Sequence, residues 1–410
     1  MIQIDQLSRR ALLGSVAAAS LATTVQAQAA ARSSLRSRLL LDPAVRYFNA
    51  ANIGPTFRAV VEAQEAEARN FQADPSRERR EKYPVLADRL RVRLAARLHV
   101  TPDEIALVRN ASEANTVAVL GLDLKPGDEI IATEHNHQST LDSWKLRARR
   151  EGLTLKILPT PVSARDPQVV ADSIAAAITP RTRAIFLSHM TNVTGFVYPI
   201  GAIAEMARAK GVWLHVDGAQ TFGWMPLNLA ALGCDSYATS THKWMLGPLE
   251  GGILYVRRAG MDRLSPIMLS HGYWITDPSH MQSAERYEIL GQRDDPKLVA
   301  IDCTLDLLDD LGEAAVEAGV RRTAARMRTL LVRVPGARIV GSEHPALSGP
   351  VITTAFPGRD VAALRVRLWR EAKAATATAT VDGQALIRFS PHIYNDDNEM
   401  QAVVDVLSRT

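Results

Sequence analysis

Two residues in this chain have side chains whose chemistry is complementary and whose setting is unusual: the acid Asp217 and the amine Lys243. Val212 to Val216 is an apolar run that reads as a short strand, so Asp217 falls where it ends. Tyr237 to Ser240 reads as a second strand, and Lys243 follows in Thr241-His242-Lys243. In an open parallel α/β sheet, ligands bind at that edge. A carboxylate and an amine delivered there suit a cofactor with a cationic ring nitrogen and an aldehyde. Pyridoxal 5'-phosphate has both: Asp217 would keep the pyridine nitrogen protonated, and Lys243 would form the Schiff base and act as general base. The competing reading is an ordinary ion pair at a sheet edge.

The surrounding residues carry a resemblance. Asp217-Gly218-Ala219-Gln220, Ser240-Thr241-His242-Lys243 and Gly247-Pro248 resemble the signature of the class V aminotransferase family. These are fold-type I pyridoxal-phosphate enzymes that include cysteine desulfurases and isopenicillin N epimerase-like proteins. The resemblance implies an α/β fold, with a large domain built on a mostly parallel sheet flanked by helices and a smaller α+β C-terminal domain. It also implies that Gln220 bonds the cofactor's phenolic oxygen and that Ser240 and His242 contact its phosphate.

The elements that must position these residues can be read along the chain. Val60 to Val100 has a helical pattern broken at Asp74-Pro75-Ser76. Ile105 to Val108 reads as a strand, and Arg109 to Ala114 opens a helix whose free N–H groups would seat a phosphate. By the resemblance, Ala111, Ser112 and Glu113 hold that phosphate. Further strands are read at Glu129 to Ala132, Leu153 to Leu158, Arg183 to Leu187 and Gly251 to Arg257, with helices such as Val169 to Ala177, Ala202 to Ala209 and Pro296 to Leu311. Alternation of this kind argues for a parallel sheet with helices on both faces.

Family members place a flat side chain after the strand that begins at Glu129, to stack on the cofactor ring. His135 and His137 compete for this role, and His137 is preferred because it stands seven residues before Trp144, which resembles a tryptophan common in the family. Both could instead be polar loop residues. The pair is not accompanied by further metal ligands, so no metal is expected. Ser188 to Gly195 resembles a stretch in which Asn192 contacts the phenolic oxygen. Tyr47 to Pro55 resembles the segment lining the substrate side, with Asn52 in the pocket. Gln292 stands where relatives have a threonine reaching the phosphate of a neighbouring subunit's cofactor, which implies a homodimer. Ile387 to Asn395 resembles the element whose arginine, here Arg388, grips a substrate carboxylate.

The chain has 410 residues, 47% hydrophobic and 22% charged, ample for a large core and a second domain. A net charge of +4 with scattered basic residues gives no support for nucleic-acid binding, and no mature segment reads as a membrane span. Ser8-Arg9-Arg10, an alanine-rich run and small-x-small sites at Val25 to Ala29 resemble a twin-arginine signal. That reading implies the Tat export machinery and a periplasmic destination; the alternative is a plain N-terminal tail. The expected division is therefore a signal peptide over 1–29, a linker over 30–46, a large cofactor-binding domain over 47–285 and a small domain over 286–410.

Desulfurases need a nucleophilic cysteine shortly before the arginine element, and Lys373 to Thr380 has none; Cys234 and Cys303 are the two cysteines. The expected reaction is therefore transamination or related chemistry at Cα of an amino-acid group in a peptide or secondary metabolite. A racemase, an epimerase or a cysteine-independent C–S lyase is the second reading, and a non-catalytic cofactor- or amino-acid-binding protein the third.

Overall fold

The computed structural model describes residues 35–270 and 282–409, so the stretch read as an export signal lies outside the described residues. The chain enters through β1 (Arg46–Tyr47) and then builds a seven-stranded sheet from β2 (Ile105–Val108), β3 (Glu129–Thr133), β4 (Thr154–Leu158), β5 (Thr182–Ser188), β6 (Trp213–Asp217), β7 (Ser236–Ser240) and β8 (Gly252–Val256). Their spatial order is β2-β8-β7-β6-β5-β3-β4. Strands β4, β3, β5, β6 and β7 run parallel, and β8 lies antiparallel between β7 and β2.

Successive residues of these strands face opposite sides, and both sides are apolar, which is why the strands read as short uninterrupted hydrophobic runs. Leu107, Ile131, Ile185, Leu214 and Val216 pack on one side beneath the helices Lys82–Leu98, Pro167–Ala177, Ile200–Ala209 and Pro296–Leu311. Ala106, Ile130, Phe186, Trp213 and Leu254 pack on the other, beneath Ala111–Gly121 and Gln138–Glu151. The helical stretch expected over Val60 to Val100 is three helices, Arg58–Ala73, Arg77–Arg80 and Lys82–Leu98, because the chain breaks again at Glu81.

A smaller antiparallel sheet follows, of β9 (Arg338–Val340), β10 (Ile352–Ala355), β12 (Ala377–Val381) and β13 (Gln384–Phe389), in the order β12-β13-β10-β9. The helices Glu313–Leu331, Val361–Ala372 and Asp397–Ser408 bury Met327, Leu368 and Met400 against it. The N-terminal segment is stitched to this unit. β1 pairs with β11 (Ala374–Ala375), Phe48 joins the same cluster, and the Ser390 N–H donates to the Phe48 carbonyl while the Ala50 N–H donates to the Ser390 carbonyl. Leu35 and Leu39, in the stretch read as a linker, are buried beside Phe57 and Val60. A segment anchored on the small sheet thus carries Ala51, Asn52 and Ile53 up to the carboxyl ends of the large sheet.

Candidate active site

Strands β3, β5, β6 and β7, together with β2, end on one edge of the large sheet, and the loops that follow them enclose a cavity of about 360 Å³. Asp217, the last residue of β6, forms its floor and is 5% exposed. Its Oδ2 accepts from Asn115 Nδ2 at 2.9 Å and its Oδ1 from the Ala219 backbone N–H at 3.0 Å. Two donors thus fix the orientation of the carboxylate. The turn after Asp217 needs glycine for space, since a Cβ on Gly218 would fall 1.9 Å from the Tyr237 ring.

Lys243 projects from the turn after β7 into the same cavity, and its Nζ donates to none of the described residues. Burial pushes its ammonium below the ordinary lysine value; Asp217 opposes this, and the charge of Arg388 adds to it. An amine so placed spends more of its time deprotonated, as a nucleophile or a general base requires.

The polar groups at one end of the cavity form an anion seat. The helix Ala111–Gly121 points its N-terminus there, with Ala111 and Ser112 in the lining. Ser240 Oγ accepts the Ala111 N–H at 2.7 Å, so its own proton is left to donate. His242 lines the cavity with a buried Nδ1 that has no partner, its imidazole pushed down to about 4 chiefly by burial. Glu113, expected with this group, is turned away: its carboxylate takes the Arg109 backbone N–H at 2.6 Å while its own N–H is capped by Asn110 Oδ1 at 3.0 Å. It closes the helix start and does not line the cavity.

Gln220 is held from two sides, its Oε1 accepting from Trp244 Nε1 at 2.8 Å and its Nε2 donating to the Ala51 carbonyl at 2.8 Å. One amide N–H is left over, beside the cavity. His137 lines the cavity and His135 does not; His135 is buried beneath the turn, its backbone N–H on Thr160. The His137 Nδ1 accepts the Ser139 N–H at 3.4 Å and meets Ser139 Oγ at 2.8 Å, which caps the helix Gln138–Glu151 and fixes the ring. Burial, aided by Lys243 and opposed by Asp217, lowers its proton affinity.

At the other end lies Arg388, on β13 and 7% exposed. Its Nη1 donates to the Asn192 carbonyl at 2.9 Å and its Nη2 to Asn49 Oδ1 at 3.1 Å. Its Nε is buried without a partner, and no carboxylate among the described residues pairs with the guanidinium. A buried cation lacking a counter-charge, at the wall of a cavity, is built to receive an anion. Asn192 and Asn52 line the wall beside it. Gln292 is exposed, hydrogen-bonded to Arg80 at 3.1 Å, and is not part of its own chain's cavity.

Asn115, Ser139 and Asn49 were not singled out from sequence. Asn115 could have been, as an amide just before the apolar run Val117 to Leu120 and one turn after Ser112. Among the described residues no cluster of three or more metal-ligating side chains occurs, and no helix is long and apolar enough to cross a membrane.

The donor set fits pyridoxal phosphate. A carboxylate, an amine and an amide with an unused N–H line one cavity, and a helix N-terminus and an unpartnered imidazole nitrogen mark an anion seat in it.

Comparison with known proteins agrees with this geometry. Residues 46–403 match the model of the family described as aminotransferase class-V. Isopenicillin N epimerase of Streptomyces clavuligerus is 30% identical over 383 residues, covering 91% of this chain and 96% of that protein. The same-named protein of Amycolatopsis lactamdurans is 33% identical over 394 residues, covering 92% and 98%. Among solved structures, a cystine C–S lyase in complex with its product cysteine persulfide superimposes with a TM-score of 0.81 at 24% identity, covering 89% of this chain and 97% of that one. The fold is therefore that of fold-type I pyridoxal-phosphate enzymes, and the chain belongs to the aminotransferase class-V family, with pyridoxal 5'-phosphate as its cofactor.

Proposed function

We propose that this enzyme moves a proton at Cα of an amino-acid group in a peptide-like or secondary metabolite, with Lys243 as the base, and that its outcome is epimerisation. The observation that carries the reading is the joint placement of Lys243, Asp217 and Arg388 on one cavity that neither cysteine enters. Bound pyridoxal phosphate supplies the electron-accepting ring that makes the Cα–H bond acidic. The chain's own groups do the rest. Arg388 offers N–H donors to the carboxylate and so sets which Cα substituent faces Lys243. Lys243, depressed by burial, takes the proton from one face of Cα, and inversion needs a proton delivered to the other. His137 lines the same cavity as a neutral flat ring and can carry a proton on a second side.

Persulfide transfer has no support. Cys234 is fully buried, with its thiol pushed up by burial, and Cys303 lies on the helix Pro296–Leu311. The stretch Lys373 to Thr380, where a desulfurase loop would carry its nucleophile, is taken up by β11 and β12, paired with β1 and β13. Epimerisation is placed ahead of transamination because two relatives that span more than nine-tenths of the chain are named isopenicillin N epimerase. We further propose export through the twin-arginine route to the periplasm, on the Ser8-Arg9-Arg10 pattern, and a homodimer in which Gln292 reaches a neighbouring site. Cell fractionation and sedimentation test these two points.

The test of the reaction is incubation in deuterium oxide with L- and D-amino acids and small peptides. Deuterium at Cα with inverted configuration supports epimerisation. A keto product that requires an amino acceptor makes the enzyme a transaminase, a released sulfur species makes it a lyase, and a bound cofactor with no exchange for any substrate leaves a binding protein.

A further inference from the structure

Behind Asp217 runs a chain of buried polar side chains that the cavity does not touch beyond its first member. Trp213 Nε1 donates to Ser236 Oγ at 3.2 Å, Ser236 Oγ lies 2.7 Å from His215 Nδ1, and His215 Nε2 lies 2.8 Å from Asn115 Oδ1. Asn115 Nδ2 then donates to Asp217 Oδ2 at 2.9 Å. His215 is 1% exposed, Asn115 3% and Ser236 0%. The two ends cannot reverse, because an indole N–H only donates and an ionised carboxylate only accepts. Asn115 must therefore turn its nitrogen to Asp217 and its oxygen to His215, which places the imidazole proton on Nε2. Burial pushes His215 down to about 3, so the ring is neutral and its Nδ1 accepts from the Ser236 hydroxyl. Every donor in the chain points toward the carboxylate.

We infer that His215 is a positioning residue for the cofactor's anchor: by holding the Asn115 oxygen it fixes the Asn115 N–H on Asp217, and so keeps that carboxylate aimed at the ring nitrogen. An apolar side chain could fill the same space against Phe186, whose ring lies 4.7 Å away. It would leave the Ser236 proton without its acceptor and the Asn115 oxygen without its donor, and the Asn115 amide free to rotate its oxygen toward a negative charge. The inference does not depend on which bond at Cα the enzyme breaks, since it concerns only the holding of the cofactor.

The experiment compares the holoenzyme with His215→Leu and His215→Gln. Glutamine keeps an N–H donor at the distance of the imidazole Nε2, and leucine does not. Three quantities are read: the cofactor's dissociation constant by equilibrium dialysis, the protonation of its ring from the ¹⁵N shift of ring-labelled pyridoxal phosphate, and the melting temperature. The leucine variant is expected to bind about tenfold more weakly, as loss of a hydrogen bond that supports a charge implies. Its ring shift should move toward the unprotonated form, and the glutamine variant should recover both readings. A leucine variant with wild-type affinity and ring protonation overturns the inference. So does a glutamine variant that falls as far as leucine. If the leucine variant does not fold, Ser236→Ala, which frees the imidazole to change tautomer, should shift the ring in the same direction; an unchanged ring shift there also overturns it.

Discussion

The Arg388 guanidinium donates to the Asn192 carbonyl across 2.9 Å, so a strand of the small sheet and the loop after β5 of the large sheet meet in one hydrogen bond at the wall of the cavity. A second donor of the same fork is spent on Asn49, and the rest remain for a ligand. Lysine has no planar fork and cannot serve two protein acceptors and a carboxylate together. Arg388→Lys should therefore raise the KM for an amino-acid substrate about 10- to 100-fold, the range for losing a charged hydrogen bond. Cofactor affinity should stay close to wild type, because the anion seat lies at the other end. Steady-state kinetics beside a cofactor titration separates the two.

Lys243→Ala removes the single amine that the described residues place in the cavity lining. The variant should fold and still take up pyridoxal phosphate through Asp217, Gln220 and the anion seat, but without the visible absorbance of the lysine-bound form. Deuterium exchange at Cα should fall about 10²- to 10⁴-fold, the usual contribution of a positioned base. An exchange rate equal to wild type would move the base elsewhere, with His137 the next group to substitute.

The sheet edge was legible because a polar residue that ends an apolar run marks a strand end, as Asp217 ends β6; Arg388, one residue short of the end of β13, was reached through the resemblance instead. What holds them was not. The partners of His215 lie 21 and 100 residues away in sequence, and Asn49 meets Arg388 across 339. No local pattern encodes such contacts. Glu113 misled for a related reason: an acid in the first turn of a helix serves its own N-terminus as readily as a ligand, and only the fold shows it bonded back to Arg109.

The electrostatic neighbours of Lys243 give a pH signature. Burial and Arg388 lower its proton affinity, and Asp217 raises it. Attachment of pyridoxal phosphate to the apoprotein needs the neutral amine, so its rate should climb with pH and level off below the ordinary lysine range. Removing a neighbouring positive charge with Arg388→Gln makes protonation easier and should move the midpoint to higher pH. Removing the negative charge with Asp217→Asn makes it harder and should move the midpoint to lower pH. Stopped-flow absorbance across pH reads both, and shifts in the same direction for the two variants would contradict the assigned charges.

Gly54 is the point at which the N-terminal segment touches the turn bearing Lys243. Its N–H donates to the His242 carbonyl at 2.7 Å, and a Cβ there would lie 2.0 Å from the Lys243 carbonyl oxygen and 2.7 Å from Leu246 Cδ2. The Lys243 carbonyl cannot swing aside freely, because it accepts the Leu246 N–H at 3.2 Å and so closes the turn. Gly54→Ala must displace one backbone or the other. The segment that shifts carries Ala51, which holds Gln220, and Asn49, which holds Arg388. The variant should lose about 1–3 kcal/mol of stability, the usual cost of overpacking, and its substrate KM should rise with it. Gly201→Ala is the control: that glycine lies on the helix Ile200–Ala209, and a Cβ on it meets nothing within 4 Å. There the change should be neutral or stabilising by up to about 1 kcal/mol, from helix propensity alone. Thermal melts and KM values for both variants check the pair. A Gly54→Ala protein that melts and binds substrate as wild type does would mean that the segment seats on the Lys243 turn more loosely than these distances imply.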